Sequence, residues 1–592
     1  MAITRVFDIL PQLQEKFNKS NILAAKEKGQ WRTYSTQEFA DSVNFLSYGL
    51  YNLGIKQGDK IAIIANNRPE WNFTDYAIQQ VGAISVPIYP TISETDLGFI
   101  LNDAAVKYLF ISSKELYLKL KPTIDKAASI KDVYAFNEFT ECKYWKLLLE
   151  DGKTNPKKQE IENIKSTIQT NDLLTILYTS GTTGAPKGVM LSHNNLISNS
   201  LASQTLAPFT SDWKALSFLP LNHVYERMLT TLYLYLGVSI YYAESMDTIV
   251  DNLKEVKPEI FSTVPRLLEK VYDRIVAKGN EQTGLKKKIF FWALDLGLRY
   301  ELNGANGWFY EQQLKLARKL VFSKWKEALG GNVVAIVSGG AALQPRLSRV
   351  FFGAGINVLE GYGLTETSPV IAVNNFLPNS ICFGTVGPVI DKVQVKFAED
   401  GEILVKGPNI MLGYYNRPDA TAEAIDPDGW FHTGDIGTFV DNRFLKITDR
   451  KKEIFKTSGG KYITPVKIEN KLKESPFIEQ IMVIGENQKF ASALIVPSFA
   501  YLKDYCKLKN IEYTSNEEII KNPAIKKRIL EEVDQLNKSL AQYETIKAPE
   551  LLPREWSIEK NELTPKLSLK RKVILAENKE LIDKIYREKN GN

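Results

Sequence analysis

The run Tyr178-Thr179-Ser180-Gly181-Thr182-Thr183-Gly184-Ala185-Pro186-Lys187-Gly188 decides how the rest of the chain is read. An apolar run, Leu173-Leu174-Thr175-Ile176-Leu177, precedes it and predicts a buried strand. A second short one, Val189-Met190-Leu191, follows. Between them lie small residues, hydroxyls and one lysine. Glycines let backbone N–H groups approach a phosphate closely, and such loops form anion-binding nests. The hydroxyls add donors and Lys187 adds a point charge. It is not a Walker A loop, because Lys187 is followed by Gly188 rather than Ser or Thr. A flexible surface hairpin would explain a lone Gly/Ser/Thr loop, but eleven ordered positions are poorly explained by chance.

A chain of 592 residues is expected to hold two to four domains. Its 44% hydrophobic and 24% charged residues describe a soluble globular protein, and 27 Tyr with 28 Phe suit large buried pockets. A net charge of +6 is too weak, at this size, to argue for nucleic acid. Cys142, Cys382 and Cys506 are odd in number and far apart, which indicates neither a disulfide framework nor a Cys-rich zinc site and fits a reducing compartment. His193, His223 and His432 include no pair with metal-ligand spacing, against a zinc or non-haem iron centre. Met1-Ala2-Ile3-Thr4-Arg5 opens no signal-peptide pattern. The most apolar stretch, Met228 to Ala243, is short for a spanning helix and is interrupted by Thr230, Thr231, Gly237 and Ser239. A cytoplasmic protein without a transmembrane segment is expected, with peripheral contact at the inner face of the membrane left open.

Residues 1–170 alternate helix and strand patterns, which argues for parallel α/β layers. A helix is expected over Thr36 to Leu53 with Ser35 as N-cap, a strand over Lys60 to Ile64, a helix from Asn67-Arg68-Pro69-Glu70-Trp71 and a strand over Val81 to Pro87. Lys153 to Lys158 is polar and contains Pro156, so an exposed loop is expected there. A long helical region starts at Val264-Pro265 and reaches Gly330-Gly331, after which Val333 to Val337 reads as a strand. Short strands and glycine turns over 381–448 suggest a small β subdomain, and lysine becomes dense from Thr448. The division is therefore 1–448 and 449–592.

Three further strings carry chemistry. Ser338-Gly339-Gly340-Ala341-Ala342 follows a strand, and its small residues let a flat ring lie on the backbone, though tight strand–helix packing would also use them. In Glu360-Gly361-Tyr362-Gly363-Leu364-Thr365-Glu366-Thr367 two glycines flank an aromatic that could stack on a base, Thr365 can donate to a phosphate, and Glu366 is a hard oxygen ligand suited to Mg²⁺. In Asp428-Gly429-Trp430-Phe431-His432-Thr433-Gly434-Asp435, an Asp can accept two hydrogen bonds from a ribose diol. Thr448-Asp449-Arg450-Lys451-Lys452 alone would be a solvated charged face.

In this order the strings resemble those of the adenylate-forming enzymes: acyl-CoA synthetases, luciferases and peptide-synthetase adenylation domains. The resemblance implies a phosphate loop at Thr179, Ser180, Gly181, Thr182, Thr183, Gly184 and Lys187, and an adenine and magnesium site around Gly339, Gly340, Ala341, Glu360, Gly361, Tyr362, Gly363, Thr365 and Glu366. It implies ribose contacts at Asp435 and Arg450 and a hinge at Lys452. Gly459-Gly460 would then allow a close passage for a pantetheine arm. The string Asn222-His223-Val224-Tyr225-Glu226-Arg227, together with Arg68-Pro69-Glu70-Trp71, the helical region and Leu563-Thr564-Pro565, is similar to long-chain fatty acid–CoA ligases, with His223 as the pocket histidine. The expected fold is α/β: a large N-terminal domain of layered α/β subdomains with a small β subdomain, then a small mobile α+β C-terminal domain.

The implied substrates are a long-chain fatty acid, ATP and CoA, with Mg²⁺. A carboxylate is a poor acyl donor, because its leaving group would be oxide. Attack on the ATP α-phosphorus gives an acyl-adenylate and pyrophosphate, and AMP then leaves when the CoA thiol attacks. No protein cysteine is needed as nucleophile. An aryl- or medium-chain CoA ligase, a fatty acyl-AMP ligase, a luciferase-like monooxygenase and a lipid-binding pseudoenzyme are the alternatives. Two departures stand out. Some bacterial relatives carry a gating tryptophan four residues after the pocket histidine, where this chain has Arg227. The family's C-terminal catalytic lysine falls at Ser568, so Lys566 is the expected substitute, ahead of Lys570, if the segment is extended and both point the same way. In Leu285 to Leu294, Lys286, Lys287 and Lys288 stand beside Phe290, Phe291 and Trp292. A core-packed helix with a solvated basic end accounts for this, and a helix at a lipid interface is the alternative.

Overall fold

The computed structural model describes residues 3–179, 186–564 and 567–590. Among these residues, two eight-stranded sheets form the frame. In the first, Asn357–Gly363, Ala335–Ser338, Ile260–Thr263, Lys214–Ser217, Ser239–Tyr242 and Leu23–Glu27 run parallel in that spatial order. In the second, Leu173–Thr179, Ile84–Ile88, Lys60–Ile64, Tyr108–Ile111 and Asp132–Ala135 do the same. Antiparallel strands close both sheets near the site: Val370–Val373 on the first, and Lys187–Ser192 with Gly413–Tyr414 on the second. The inner strands are buried on both faces, hence their near-continuous Val/Ile/Leu runs.

One apolar core draws side chains from both sheets and from the helices Thr36–Asn52, Pro69–Gln80, His193–Ser203 and Val224–Leu236. The first of these begins as its sequence predicts: Ser35 accepts from the Glu38 N–H while Glu38 accepts from the Ser35 N–H. A second core joins the first sheet to the helical region Pro265–Asn280, Gly284–Leu298, Trp308–Ala317 and Ser323–Ala328. A four-stranded antiparallel sheet, Gln394–Phe397, Glu402–Lys406, Phe431–Val440 and Phe444–Arg450, forms the β subdomain. Beyond it a separate core is built on Ile478–Ile484, Ser492–Pro497 and Glu550–Leu551.

Some boundaries differ from the sequence reading. The strand expected over 81–87 starts only at Ile84, because Val81-Gly82 ends the preceding helix with Gly82 at φ +69°. The loop expected over 153–158 is shorter, Asn155 to Lys157, because the helices Lys146–Thr154 and Lys158–Thr167, which bury Leu148 and Ile161, take its two ends. The strand expected from Val333 begins at Ala335. The segment around Ser568 is not a continuous extended run. Leu563 bridges Leu569 antiparallel, the Thr564 N–H donates to the Ser568 carbonyl at 2.9 Å, and Leu567 has φ +62°. Strand alternation therefore does not put residues 566 and 570 on one face.

Candidate active site

The strand Leu173–Thr179 and the strand Lys187–Ser192 pair antiparallel, with Thr179 opposite Lys187. The expected phosphate loop is thus the connection of a hairpin. Ser180, Gly181, Thr182, Thr183 and Gly184 lie outside the described residues, as does Lys566. Lys187 is described. Its Nζ lies 4.9 Å from the ring centroid of Tyr414, which sits on the neighbouring strand of the same sheet. The Tyr414 hydroxyl in turn donates to Glu366 Oε1 at 2.9 Å. The Met411 N–H donates to the Glu366 carbonyl at 2.9 Å, so the Thr365–Glu366 turn of one sheet is tied to the edge of the other. Thr365 is buried beneath it.

Tyr362, at the end of Asn357–Gly363, donates its hydroxyl to Asp435 Oδ2 at 2.7 Å. Asp435 stands opposite Arg450 in the β subdomain, with Arg450 Nε 3.4 Å from Asp435 Oδ1. Burial pushes the Asp435 carboxyl above the usual carboxylate range, and the Arg450 guanidinium works against that. Gly363 is required by packing: a Cβ there would collide with the Pro369 carbonyl. Gly361 is looser, with a Cβ meeting Val373 at 3.3 Å.

Gly339, Gly340 and Ala341 follow the strand Ala335–Ser338. Gly340 has φ +82°, a conformation glycine adopts without strain. A Cβ on Gly339 would meet the Tyr225 ring at 3.3 Å, and the Tyr225 hydroxyl donates to the Val337 carbonyl at 3.0 Å. Glu360 is buried, and its Oε1 accepts from the Leu343 N–H at 2.9 Å. Its carboxyl, pushed up to about 8 by burial, holds the 339–343 loop against the end of Asn357–Gly363.

His223 precedes the helix Val224–Leu236 and caps it: Nδ1 accepts from the Tyr225 N–H at 3.1 Å. That bond leaves the proton of the neutral ring on Nε2. Asn222 donates to the Ile63 carbonyl at 3.3 Å and to the Ile88 carbonyl, anchoring the segment at the strand ends of the second sheet. Through Tyr225 the same helix start touches the first sheet at Val337 and Gly339, and the His223 ring lies 6.5 Å from that of Tyr89. His193 is different: its Nδ1 accepts from the Val6 N–H at 3.2 Å, and burial pulls its pKa down to about 3. Ser192 caps its helix in a box with Asn195. Arg227 is buried. It donates to Asp75 Oδ1 at 2.7 Å and Oδ2 at 2.9 Å, to Thr175 Oγ1 at 2.7 Å and to Ser85 Oγ at 3.0 Å.

Lys452 lies exposed in the turn that follows Phe444–Arg450. Lys451 beside it is anchored to Asp400 at 2.6 Å and Glu402 at 2.9 Å, and Glu402 also accepts from the Gly434 N–H at 2.8 Å. Lys570 donates to Asn561 Oδ1. Arg571 is held by Glu453 at 2.9 Å and Glu469 at 2.7 Å. Tyr414, Tyr225 and Glu402 were missed from sequence. Their signal was slight: Tyr225 stood inside a singled-out string, Tyr414 only beside a glycine, and Glu402 in an ordinary strand.

Among the described residues no group of three or more His, Cys, Asp or Glu could hold a metal ion on its own. Mg²⁺ differs in usually taking one or two carboxylates and completing its shell with substrate phosphates and water. Glu366 fits that donor set. One of its oxygens is engaged by Tyr414, and Oε2 has no partner among the described residues.

The Tyr362–Glu366 turn is where the two α/β sheets and the β subdomain meet. The model of the AMP-binding enzyme family matches residues 13–415, and that of the AMP-binding enzyme C-terminal domain matches 452–590. The chain belongs to the family of AMP-binding enzymes. It is 32% identical over 565 residues to long-chain-fatty-acid–CoA ligase FadD15 of Mycobacterium tuberculosis, covering 94% of this chain and 93% of that protein. It is 33% identical to long-chain-fatty-acid–CoA ligase 1 of Homo sapiens, covering 94% and 82%. The adenylation domain of a carboxylate reductase from Mycobacterium chelonae shares the fold, with a TM-score of 0.76 at 21% identity over 98% of this chain and 91% of that one.

Proposed function

We propose that this chain activates a long-chain fatty acid with ATP and passes the acyl group to CoA, releasing AMP and pyrophosphate. The observation that carries the reading is one turn, Tyr362–Glu366, which joins two polar groupings. At one end Tyr362 meets the Asp435–Arg450 pair; at the other Glu366 meets Tyr414 and Lys187. That spacing suits a nucleotide laid along the turn, ribose at one end and phosphates at the other. The relatives' named activity supports the same reaction.

Asp435 accepts the ribose hydroxyls, with Arg450 holding its charge. Gly339, Gly340 and Ala341 offer a flat backbone to the adenine, and Glu360 positions that loop from behind. Thr365 and Lys187 bind phosphate oxygens, together with Thr179, Ser180, Gly181, Thr182, Thr183 and Gly184. Glu366 and the substrate phosphates would hold Mg²⁺, which neutralises charge as pyrophosphate leaves. His223 lines the place of the acid's carboxylate. A division into 1–448 and 449–592, with Lys452 as hinge, lets the second domain bring first a lysine and later a passage for the CoA thiol. Lys566 or Lys570 supplies that lysine. The acid is apolar beyond its carboxylate, and contact with a membrane surface belongs to this reading.

Each methylene moved from water is worth ~0.8 kcal/mol, so a chain of about 12–16 carbons could gain on the order of 10 kcal/mol before entropic losses. ATP–pyrophosphate exchange with palmitate, acetate and benzoate, followed by thioester formation with and without CoA, tests this. Palmitate is expected to show far the highest kcat/KM. Equal or better activity on benzoate would sink the long-chain assignment, and absence of exchange with every acid would sink the enzyme assignment.

A further inference from the structure

The chain's positive charge is not spread evenly. The helical region 264–330 holds thirteen Lys and Arg against seven Asp and Glu, a surplus equal to the +6 of all 592 residues. The rest of the chain is balanced. Among the described residues before the C-terminal domain, the three most exposed large apolar side chains lie in this region, Trp308 at 75%, Phe309 at 72% and Leu285 at 72%, and Leu316 and Leu320 are exposed beside them.

Their placement is specific. The helix Trp308–Ala317, continued by Arg318–Phe322, buries Tyr310, Leu314, Ala317 and Val321 in the core of the first sheet. Phe309, Leu316 and Leu320, spaced by seven and four residues, fall close together on its other side. A helix apolar on both sides is normally covered on both. Lys315, Lys319 and Lys324 rim the stripe, exposed and without an ion pair among the described residues. The aromatic run of the neighbouring helix is not part of this face: Phe290, Phe291 and Trp292 are half-buried against the core, with Phe290 packed on Gly279.

We infer that this stripe docks the protein on a lipid surface carrying anionic headgroups, Trp308, Phe309, Leu316 and Leu320 entering the interface and Lys315, Lys319 and Lys324 meeting the headgroups. Apolar area plus basic flanks is the composition that binds such surfaces. A second copy of the chain fits less well, since a symmetric contact would set one basic rim against another. The inference names the membrane contact in the proposed function, but its test needs no catalysis.

The full chain is floated with vesicles of phosphatidylcholine alone and of phosphatidylcholine and phosphatidylglycerol in equal parts. Binding is expected only to the second, and loss of it at about 1 M salt, where screening reaches ~3 Å. A variant with Trp308→Ser, Phe309→Ser and Leu316→Ser, and another with Lys315→Glu, Lys319→Glu and Lys324→Glu, should each lower vesicle affinity by at least about tenfold. A control with Lys119→Glu, Lys126→Glu and Lys131→Glu, exposed on the other sheet, should stay within about twofold. All these side chains are exposed, and a cooperative thermal unfolding transition like the parent's reports that each variant is folded. The inference is overturned if the parent ignores anionic vesicles, if either stripe variant binds like the parent, or if the control loses as much. A stripe variant that instead halves the sedimenting mass while vesicle binding persists assigns the face to self-association and also overturns it.

Discussion

Truncating Arg227 separates two roles for the position that carries a gating tryptophan in some relatives. In this chain the guanidinium and its partner Asp75 have side chains only 3% and 4% exposed. Arg227 spans the helix Val224–Leu236, Asp75 on Pro69–Gln80, Ser85 on Ile84–Ile88 and Thr175 on Leu173–Thr179, so it bolts a helix to the strand that ends at Thr179, opposite Lys187. Moving it would break all these hydrogen bonds at once. Arg227→Ala leaves the Asp75 carboxylate buried with only the Gln79 amide at 2.8 Å. Removing one member of a buried pair costs about 3–5 kcal/mol. At ~2.1 cal/mol/K per residue, a cooperative unit of about 450 residues has an unfolding entropy of roughly 0.9 kcal/mol/K, so Tm should fall by about 3–5 °C. Arg227→Met combined with Asp75→Leu should recover most of this, because a well-packed apolar pair replaces the ions at little net cost. Thermal unfolding followed by fluorescence measures all three proteins, and pyrophosphate exchange at 20 °C should stay within about threefold of the parent, under ~0.7 kcal/mol of barrier. A Tm within about 1 °C of the parent for Arg227→Ala, or a double variant no better than the single, would refute the structural role. A large loss of exchange with no loss of Tm would restore the gate.

Other outcomes follow from the site. Glu366→Gln should keep the fold and lose most Mg²⁺-dependent pyrophosphate exchange, while Tyr414→Phe should raise the KM for ATP by about tenfold, one hydrogen bond to a charged group; normal exchange in Glu366→Gln removes it from the metal role. Lys566→Ala and Lys570→Ala are assayed for adenylation and for thioester formation from supplied acyl-adenylate. The substituting lysine is the one whose loss stops only the first, and if neither slows adenylation by more than about tenfold, ~1.4 kcal/mol, the role does not transfer. Stability should fall as pH rises from 6.5 to 8. Burial raises the Glu226 carboxyl to about 7 and that of Glu360 to about 8, so the folded chain keeps protons the unfolded chain has lost, and their contribution disappears as pH passes those values. Asp449, raised to about 7 by burial, adds to the same fall, while His193, held low by burial, opposes it only at the lower end of the window, where the unfolded imidazole still carries part of its proton. Glu226→Gln and Glu360→Gln should flatten Tm against pH over that window, and an unchanged slope in both would contradict the assignment.

The sequence by itself determined what is local or apolar. Period and apolar runs located the strand Lys60–Ile64, the capped helix after Ser35 and the strand that begins at Leu173, because one segment's hydrogen bonds and burial specify them. The ordered strings around Tyr178, Tyr362 and Asp435 named the chemistry, since a loop that must approach a nucleotide restricts nearly every position in it. The tertiary structure decided which of these residues meet. Tyr414 lies 48 positions from Glu366, and Arg227 lies 152 from Asp75. Nothing in the spacing joins such pairs, because two sheets and a β subdomain bring them together only once packed. The fate of amphipathic residues is likewise a tertiary matter. Phe290 and Phe309 are alike in sequence, yet one packs into the core and the other faces solvent, according to which side of each helix the first sheet covers. Glu360 shows the same limit: its place in the string was legible, but only the fold turned its carboxylate inward to hold a loop rather than outward to a ligand.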